Sequence, residues 1–222
     1  MPAYGETRDR VETYFDRTAT QTWERLTSHE KVSRIRETVR KGRDRMRALM
    51  LSRLPQDLRG ARVLDAGCGT GAMASELAQR GAKVTAVDIS PQLIDIAKRR
   101  LHPALAPQVD FHAGDMSDPA LGRFDHVLAM DSLIYYRDAD IGRVIGNLSS
   151  RTSQSIVFTV APRTPFLMAF WTMGKLFPRS DRSPTMVPHA AARLAKHCPG
   201  SLTKIDRITS GFYISECLEH RT

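Results

Sequence analysis

The stretch that decides the fold is Arg62-Val-Leu-Asp-Ala-Gly-Cys-Gly-Thr-Gly71. Arg62 to Ala66 reads as a short buried strand that runs into Gly67, Gly69 and Gly71. A helix is predicted over 70–80, ended by Gly81. Glycines let backbone approach a ligand where a Cβ would collide. The N–H groups at the start of a helix favour an electron-rich ligand group. Glycines alone are a weak signal, but a strand before them and a helix after them supply the setting that a nucleotide-type site requires.

Working outward, Lys83 to Val87 is a second strand. Ser90-Pro91 looks like a helix N-cap with proline at the first helical position, opening a helix to about Leu101. Further strands are predicted near 109–113, 124–130 and 154–160, with a helix near 140–150 between the last two. Strands alternating with helices indicate a parallel α/β sheet covered on both faces. Upstream, Val32, Ile35, Val39, Met46, Leu49 and Met50 recur at helical intervals, which predicts a long amphipathic helix over about 33–54, stopped by Pro55. Residues 4–29, with Val11, Tyr14, Phe15 and Trp23, read as one or two short helices. Past Val160 come an apolar segment (164–177), a Pro/Ser/Arg-rich loop (178–188) and a short helix near 189–197. Two closing strands, 202–209 and 212–219, then turn at Gly211. The expected organisation is an N-terminal helical arm over 1–58 and a main domain over 59–222.

Composition narrows the classes. The chain of 222 residues is 41% hydrophobic and 26% charged, which suits a packed domain and excludes a disordered one. It holds no run of about 18 apolar residues, so a spanning helix is not expected. The first ten residues are polar and lack the apolar run of a secretory signal. Cys68, Cys198 and Cys217 lie far apart without metal-type spacing, so a reducing cytoplasm is the expected setting and no metal centre is anticipated. Basic residues exceed acidic ones by 33 to 24, and nine of them fall between Lys31 and Arg53. Such a helix can face water, nucleic acid, an anionic bilayer or an acidic substrate.

Three carboxylates choose the ligand of the glycine loop. Asp65, just before it, can meet the ammonium of a methionine moiety and would repel a pyrophosphate. Asp88, at the end of the second strand, can accept from both hydroxyls of a ribose, a feature shared with dinucleotide sites. Gly114-Asp115-Met116 follows the third strand, where Asp115 can accept from an adenine amino group while Met116 packs on the ring. Each carboxylate has a plainer use as a loop or turn cap. Cys68 reads as packing, since a neighbouring carboxylate raises a thiol pKa. Together the loop, Asp88 and Asp115 resemble the class I S-adenosylmethionine-dependent methyltransferases over about residues 60–220. The resemblance implies a Rossmann-like, seven-stranded, mostly parallel sheet with helices on both faces and an antiparallel last strand.

The flanks carry a narrower resemblance. Tyr14-Phe-Asp-Arg-Thr-Ala-Thr20, Met130-Asp-Ser-Leu-Ile-Tyr-Tyr136, Thr159-Val-Ala-Pro-Arg-Thr164 and Gly211-Phe-Tyr-Ile-Ser-Glu-Cys217 are similar to the magnesium-protoporphyrin IX O-methyltransferases of bacteriochlorophyll synthesis, nearly end to end. That family esterifies one propionate of the porphyrin. A propionic acid has a pKa near that of Glu, ~4.3, so it is already a nucleophile at neutral pH and needs no base. Catalysis is then expected from alignment and removal of water. The resemblance adds Ile89 and Met130 to the cofactor set and makes Tyr14 and Tyr135 the catalytic candidates. Phe15 and Trp23 join Tyr14 as a lid over the site. Tyr136 and Arg163 follow the fourth and fifth strands, with Arg163 offered to the non-reacting propionate. Phe166 to Phe177 is expected to wall the porphyrin, touch a membrane surface or cover the sheet. His29, His112, His126 and His189 are scattered and read as structural or solvated. A magnesium-chelatase subunit is implied as porphyrin donor, with peripheral membrane contact as a secondary property and nucleic acid as no partner. Another small hydrophobic acid or a quinol is the alternative acceptor, but a quinol hydroxyl, with pKa ~10, would want a base.

Overall fold

The computed structural model describes residues 4–16, 34–165, 167–168, 172 and 184–221. Two helices open the described chain, α1 (Tyr4–Tyr14) and α2 (Arg34–Leu51). The α/β alternation follows as β1 (Arg62–Ala66), α3 (Ala72–Gln79), β2 (Lys83–Asp88), α4 (Pro91–Arg100), β3 (Val109–Ala113), β4 (Phe124–Ala129), α5 (Asp138–Ser149) and β5 (Thr152–Pro162). The chain ends with β6 (Pro188–His189), α6 (Ala191–Leu194), β7 (Ser201–Ser210) and β8 (Tyr213–Arg221).

The main sheet runs in the order β3-β2-β1-β4-β5-β8-β7. Strands β1 to β5 pair in parallel, while β8 is antiparallel to both β5 and β7. This is the expected seven-stranded, mostly parallel sheet. Alternate side chains face opposite layers, as the two-residue period of a strand demands. Val63, Leu128 and Val157 pack into one core with Leu77 of α3 and Met46, Met50 and Leu51 of α2. Leu64, Val127, Ile156 and Phe158 pack into the other with Ile141, Ile145 and Leu148 of α5. The sheet order reverses between β1 and β4, so the carboxyl ends of these strands diverge and leave a crevice.

The local signals act as their chemistry dictates. The Ser90 hydroxyl accepts from the Leu93 N–H at 3.3 Å and Pro91 begins α4. Gly211 turns β7 into β8 with φ of +58°, a conformation that disfavours a Cβ. Helix α2 stops at Leu51 rather than Leu54, because Arg53 and Leu54 bond back to Met50 and Leu51 in a tightened last turn. The helix expected over 189–197 is reduced to Ala191–Leu194. Pro188 and His189 instead extend beside Ala161 and Pro162 of β5, a two-residue strand too short to leave a periodic trace. Most of 166–177 and the loop up to 183 lie outside the described residues, so the expectations for the apolar segment do too.

Candidate active site

The glycine loop is built by its own amides. The N–H groups of Gly67 and Cys68 both donate to the Val87 carbonyl, at 2.8 and 2.9 Å, and Gly71 N–H donates to Cys68 O at 2.9 Å. Gly69 N–H donates to Asp88 Oδ2 at 2.8 Å. Four amides that a pyrophosphate loop would present to its ligand are thus spent on loop shape. Gly67 adopts φ of +84°, and a Cβ there would lie 2.3 Å from the Ser132 Cβ. At Gly71, φ is +82° and a Cβ would lie 3.0 Å from Ala97 of α4. Gly67 and Gly69 line the central cavity; Gly71 does not, and serves close packing of the loop on α4.

That cavity, of about 300 Å³, fills the crevice at the ends of β1, β2 and β4. Asp65, Asp88, Ile89, Asp115, Met116 and Met130 all line it, which brings together the remaining expected cofactor residues. Asp65 is 1% exposed, and among the described residues its Oδ2 has no hydrogen-bond partner. Burial, with Asp88 nearby, pushes its pKa up to about 7. A carboxylate left this way invites a cation, and an ammonium donating to Oδ2 restores what burial removes. Asp65 therefore has the chemistry to hold an ammonium group in this cavity.

Asp88 does more than the sequence suggested. Its Oδ1 accepts from Ser90 N–H at 3.0 Å while Oδ2 holds Gly69, so the turn use and the ligand-facing position coexist. Burial raises its pKa and those N–H donors oppose the rise. Asp115 is likewise shared: Oδ1 accepts from Ser117 N–H at 2.8 Å and from the Tyr4 hydroxyl at 2.9 Å, and Oδ2 lies 3.5 Å from Arg8 Nη1. Cys68 is buried, and desolvation, with Asp65 and Asp88, pushes its thiol well up, as a packing residue requires.

Aromatic groups form another part of the lining. Tyr135 and Tyr136, just after β4, line the cavity, as does Phe15. Phe15 meets the Tyr135 ring edgewise at 6.1 Å and Tyr14 at 5.3 Å, while Tyr4 stacks on Tyr136 at 5.1 Å. Burial pushes the Tyr135 phenol above its ordinary range, so it stays protonated and can donate. Tyr14 itself is outside the lining and reaches the site through Phe15. Trp23 falls outside the described residues. Arg163 is exposed beyond β5 and absent from the lining, so the structure does not bring it to the described cavity.

Sequence reasoning expected both N-terminal helices and a lid over the site, but missed which of their residues line it. Tyr4, Arg8 and Val11 of α1 roof it, and Arg40, Arg43, Asp44 and Arg47 of α2 form one wall. The signal was available: residues 36, 40, 43 and 47 are arginines spaced four, three and four apart, which aligns them on one helix face. Asp131 and Ser132, between β4 and the tyrosines, also line the cavity.

Comparisons with known proteins agree with this geometry. A family model described as Magnesium-protoporphyrin IX methyltransferase C-terminus matches residues 129–222, and one described as Methyltransferase domain matches residues 63–154. The chain is 68% identical over 223 residues to the magnesium-protoporphyrin O-methyltransferase of Rhodobacter capsulatus, covering 100% of both chains. The enzyme of that name from Synechocystis is 29% identical over 216 residues, covering 94% of each. The crystal structure of magnesium protoporphyrin IX methyltransferase from Synechocystis PCC 6803 with bound SAH is similar with a TM-score of 0.81 and 27% identity, covering 96% of this chain and 99% of that one. A full-length match at this level makes the chain a member of the magnesium-protoporphyrin O-methyltransferase family, within the class I S-adenosylmethionine-dependent methyltransferases.

Proposed function

We propose that the protein transfers a methyl group from S-adenosylmethionine to one propionate carboxylate of magnesium-protoporphyrin IX, giving the monomethyl ester in bacteriochlorophyll synthesis. The supporting observation is one cavity lined both by Asp65, whose buried carboxylate oxygen has no partner among the described residues, and by Tyr135 with the Phe15 ring against it. When bound, the cofactor supplies an electrophilic methyl on a sulfonium. The protein's part is to hold the two reactants in line at ~3–3.5 Å and to keep water away. Asp65 anchors the methionine ammonium. Asp88 and Asp115, with Ile89, Met116 and Met130 around them, take the ribose and the adenine. Tyr135 donates a hydrogen bond that orients the incoming carboxylate, and Tyr14 fixes Phe15 against it. No group has to remove a proton, because the propionate is ionised already.

The basic helix α2 turns arginines toward the cavity, which favours an acidic small molecule over nucleic acid as their purpose. The magnesium chelatase remains the donor of porphyrin in this reading. Ile35 and Phe212, 56% and 63% exposed, support peripheral contact with a membrane. Among the described residues, no helix is long and apolar enough to cross one. Incubation of the purified protein with S-adenosylmethionine and magnesium-protoporphyrin IX tests the activity. Mass spectrometry is expected to find the monomethyl ester; cofactor binding without ester refutes the substrate assignment.

A further inference from the structure

We propose that Arg151, at the junction of α5 and β5, is a positioning residue for adenine: it grips the β3–β4 connection at three carbonyls and so sets where Asp115 and Met116 stand. The inference deepens the reading of those two residues as the adenine contacts and rests on it.

Arg151 is only 8% exposed, although it carries a charge. Among the described residues, its guanidinium donates to backbone carbonyls alone. Nη2 reaches Met116 O at 2.7 Å, and Nη1 reaches Asp118 O at 2.8 Å and Gly122 O at 3.3 Å. Its Cζ lies over the Phe124 ring, 5.8 Å from the centroid. The three carbonyls belong to residues 114–123, which leave β3 and enter β4 with a single helical turn, Pro119–Leu121, between them. A connection outside helix and sheet must satisfy its carbonyls with other donors. A guanidinium supplies several in one rigid plane, which a lysine ammonium does not.

The grip leads to the cavity through one peptide plane. Met116 O and the Ser117 N–H belong to that plane, so fixing the carbonyl fixes the amide. The Ser117 N–H donates to Asp115 Oδ1 at 2.8 Å and thereby turns the carboxylate. The Asp118 N–H donates to Asp115 O at 3.0 Å, and Asp118 O is the second carbonyl that Arg151 holds. Upstream, the Gly114 N–H donates to Asp88 O at 2.9 Å, which ties the start of the connection to β2. Arg151 ties the part beyond Asp115. Asp115 and Met116 line the cavity, whereas Arg151 does not. Burial opposes the charge on Arg151, and the carboxylates of Asp118 and Asp115 support it.

This arrangement bears on the base more than on the rest of the cofactor. An acceptor for an amino group must sit within a few tenths of an ångström of its ideal distance. Asp65, the proposed anchor of the methionine end, stands on β1 and does not depend on residues 114–123.

The test compares S-adenosylhomocysteine with S-inosylhomocysteine, which carries an oxygen where adenine has its amino group. Binding is measured by calorimetry at a temperature where circular dichroism shows each variant folded. Wild type is expected to prefer the adenine form by about ten- to a hundredfold. Arg151→Lys keeps the charge but cannot span three carbonyls. It should weaken S-adenosylhomocysteine by about three- to tenfold and S-inosylhomocysteine by less than twofold, so the preference narrows. KM for S-adenosylmethionine should rise by the same factor, with kcat and the KM for porphyrin nearly unchanged. Arg151→Met removes every donor and should narrow the preference further; if it does not fold, Arg151→Lys decides. Asp115→Ala should narrow the preference by itself, and adding Arg151→Lys to it should cost little more. Equal weakening of both ligands by Arg151→Lys shows a role in the fold alone and overturns the proposal, as does unchanged affinity for both. A wild type without preference, or one that Asp115→Ala leaves intact, instead defeats the adenine reading of Asp115, and the proposal falls with it.

Discussion

Asp65 concentrates the energetics of the site in one side chain. A carboxyl with a pKa of about 7, kept from water and without a partner at Oδ2 among the described residues, weakens the fold without cofactor and becomes an asset once a cation arrives. Asp65→Asn removes the buried charge at nearly constant volume. The variant is expected to melt a few degrees higher than wild type without cofactor, since about 1 kcal/mol corresponds to roughly 2–4 °C at this size. Its affinity for S-adenosylmethionine should fall at least about tenfold by calorimetry. Tyr14 gives a contrasting expectation. Its ring supports Phe15 and no proton transfer depends on it, so Tyr14→Phe should reduce turnover only about two- to fivefold, because general acid–base assistance typically contributes about a hundredfold or more. A drop of several orders of magnitude in a steady-state assay would reveal acid–base chemistry at that hydroxyl.

At the scale of elements, α2 belongs to both the fold and the site. Met46 and Met50 are fully buried on one side of it, while Arg43 and Arg47 reach the cavity on another. Gly42 lets it sit against the closing hairpin, where a Cβ would come within 2.6 Å of the Tyr213 ring. Met50→Ala should cost about 2–5 kcal/mol of stability, read by denaturant unfolding, with weaker cofactor binding as the wall loosens. This helix also marks where sequence reading stops. Periodicity shows that Val39, Met46 and Met50 share a face, but it cannot say which neighbour meets the arginine stripe, because that depends on β7 and β8, over 150 residues later. The loop from Ala66 to Gly71 was legible because its function depends on local conformation. The second use of Asp88, as a brace for Gly69, was not, since a capping carboxylate and a ligand-facing one look alike in sequence. Arg163 shows the limit from another side: a cation after the fifth strand has a position in sequence, but the backbone there is also tied to β6, by the hydrogen bond from Arg163 N–H to His189 O, a pairing that leaves no periodic trace.

For the whole molecule, Asp65 links stability to pH. The unfolded carboxyl titrates near 3.9, the folded one near 7. Below about pH 4 both states are protonated and Asp65 makes no difference. As pH rises from about 4 to about 7, the unfolded state ionises first, so this group lowers stability across that window and no further above it. Saturating S-adenosylhomocysteine should flatten the decline, and Asp65→Asn should abolish this contribution. Melting temperatures measured between pH 4.5 and 8, with and without ligand, give the comparison; a slope unchanged by either treatment would remove Asp65 as its source.

The sheet order has a consequence for biosynthesis. Strand β8, residues 213–221, is translated after all the other strands yet sits between β5 and β7. Until it emerges from the ribosome, the hydrogen-bonding edge of β5, with Ile156, Val157, Phe158 and Val160, has no permanent neighbour on that side. A nascent chain in that state displays an apolar, adhesive border, the type of surface that chaperones shield and that neighbouring chains can capture. The final step of folding is therefore an insertion rather than an addition at the rim, and slow synthesis near the end would prolong the vulnerable interval.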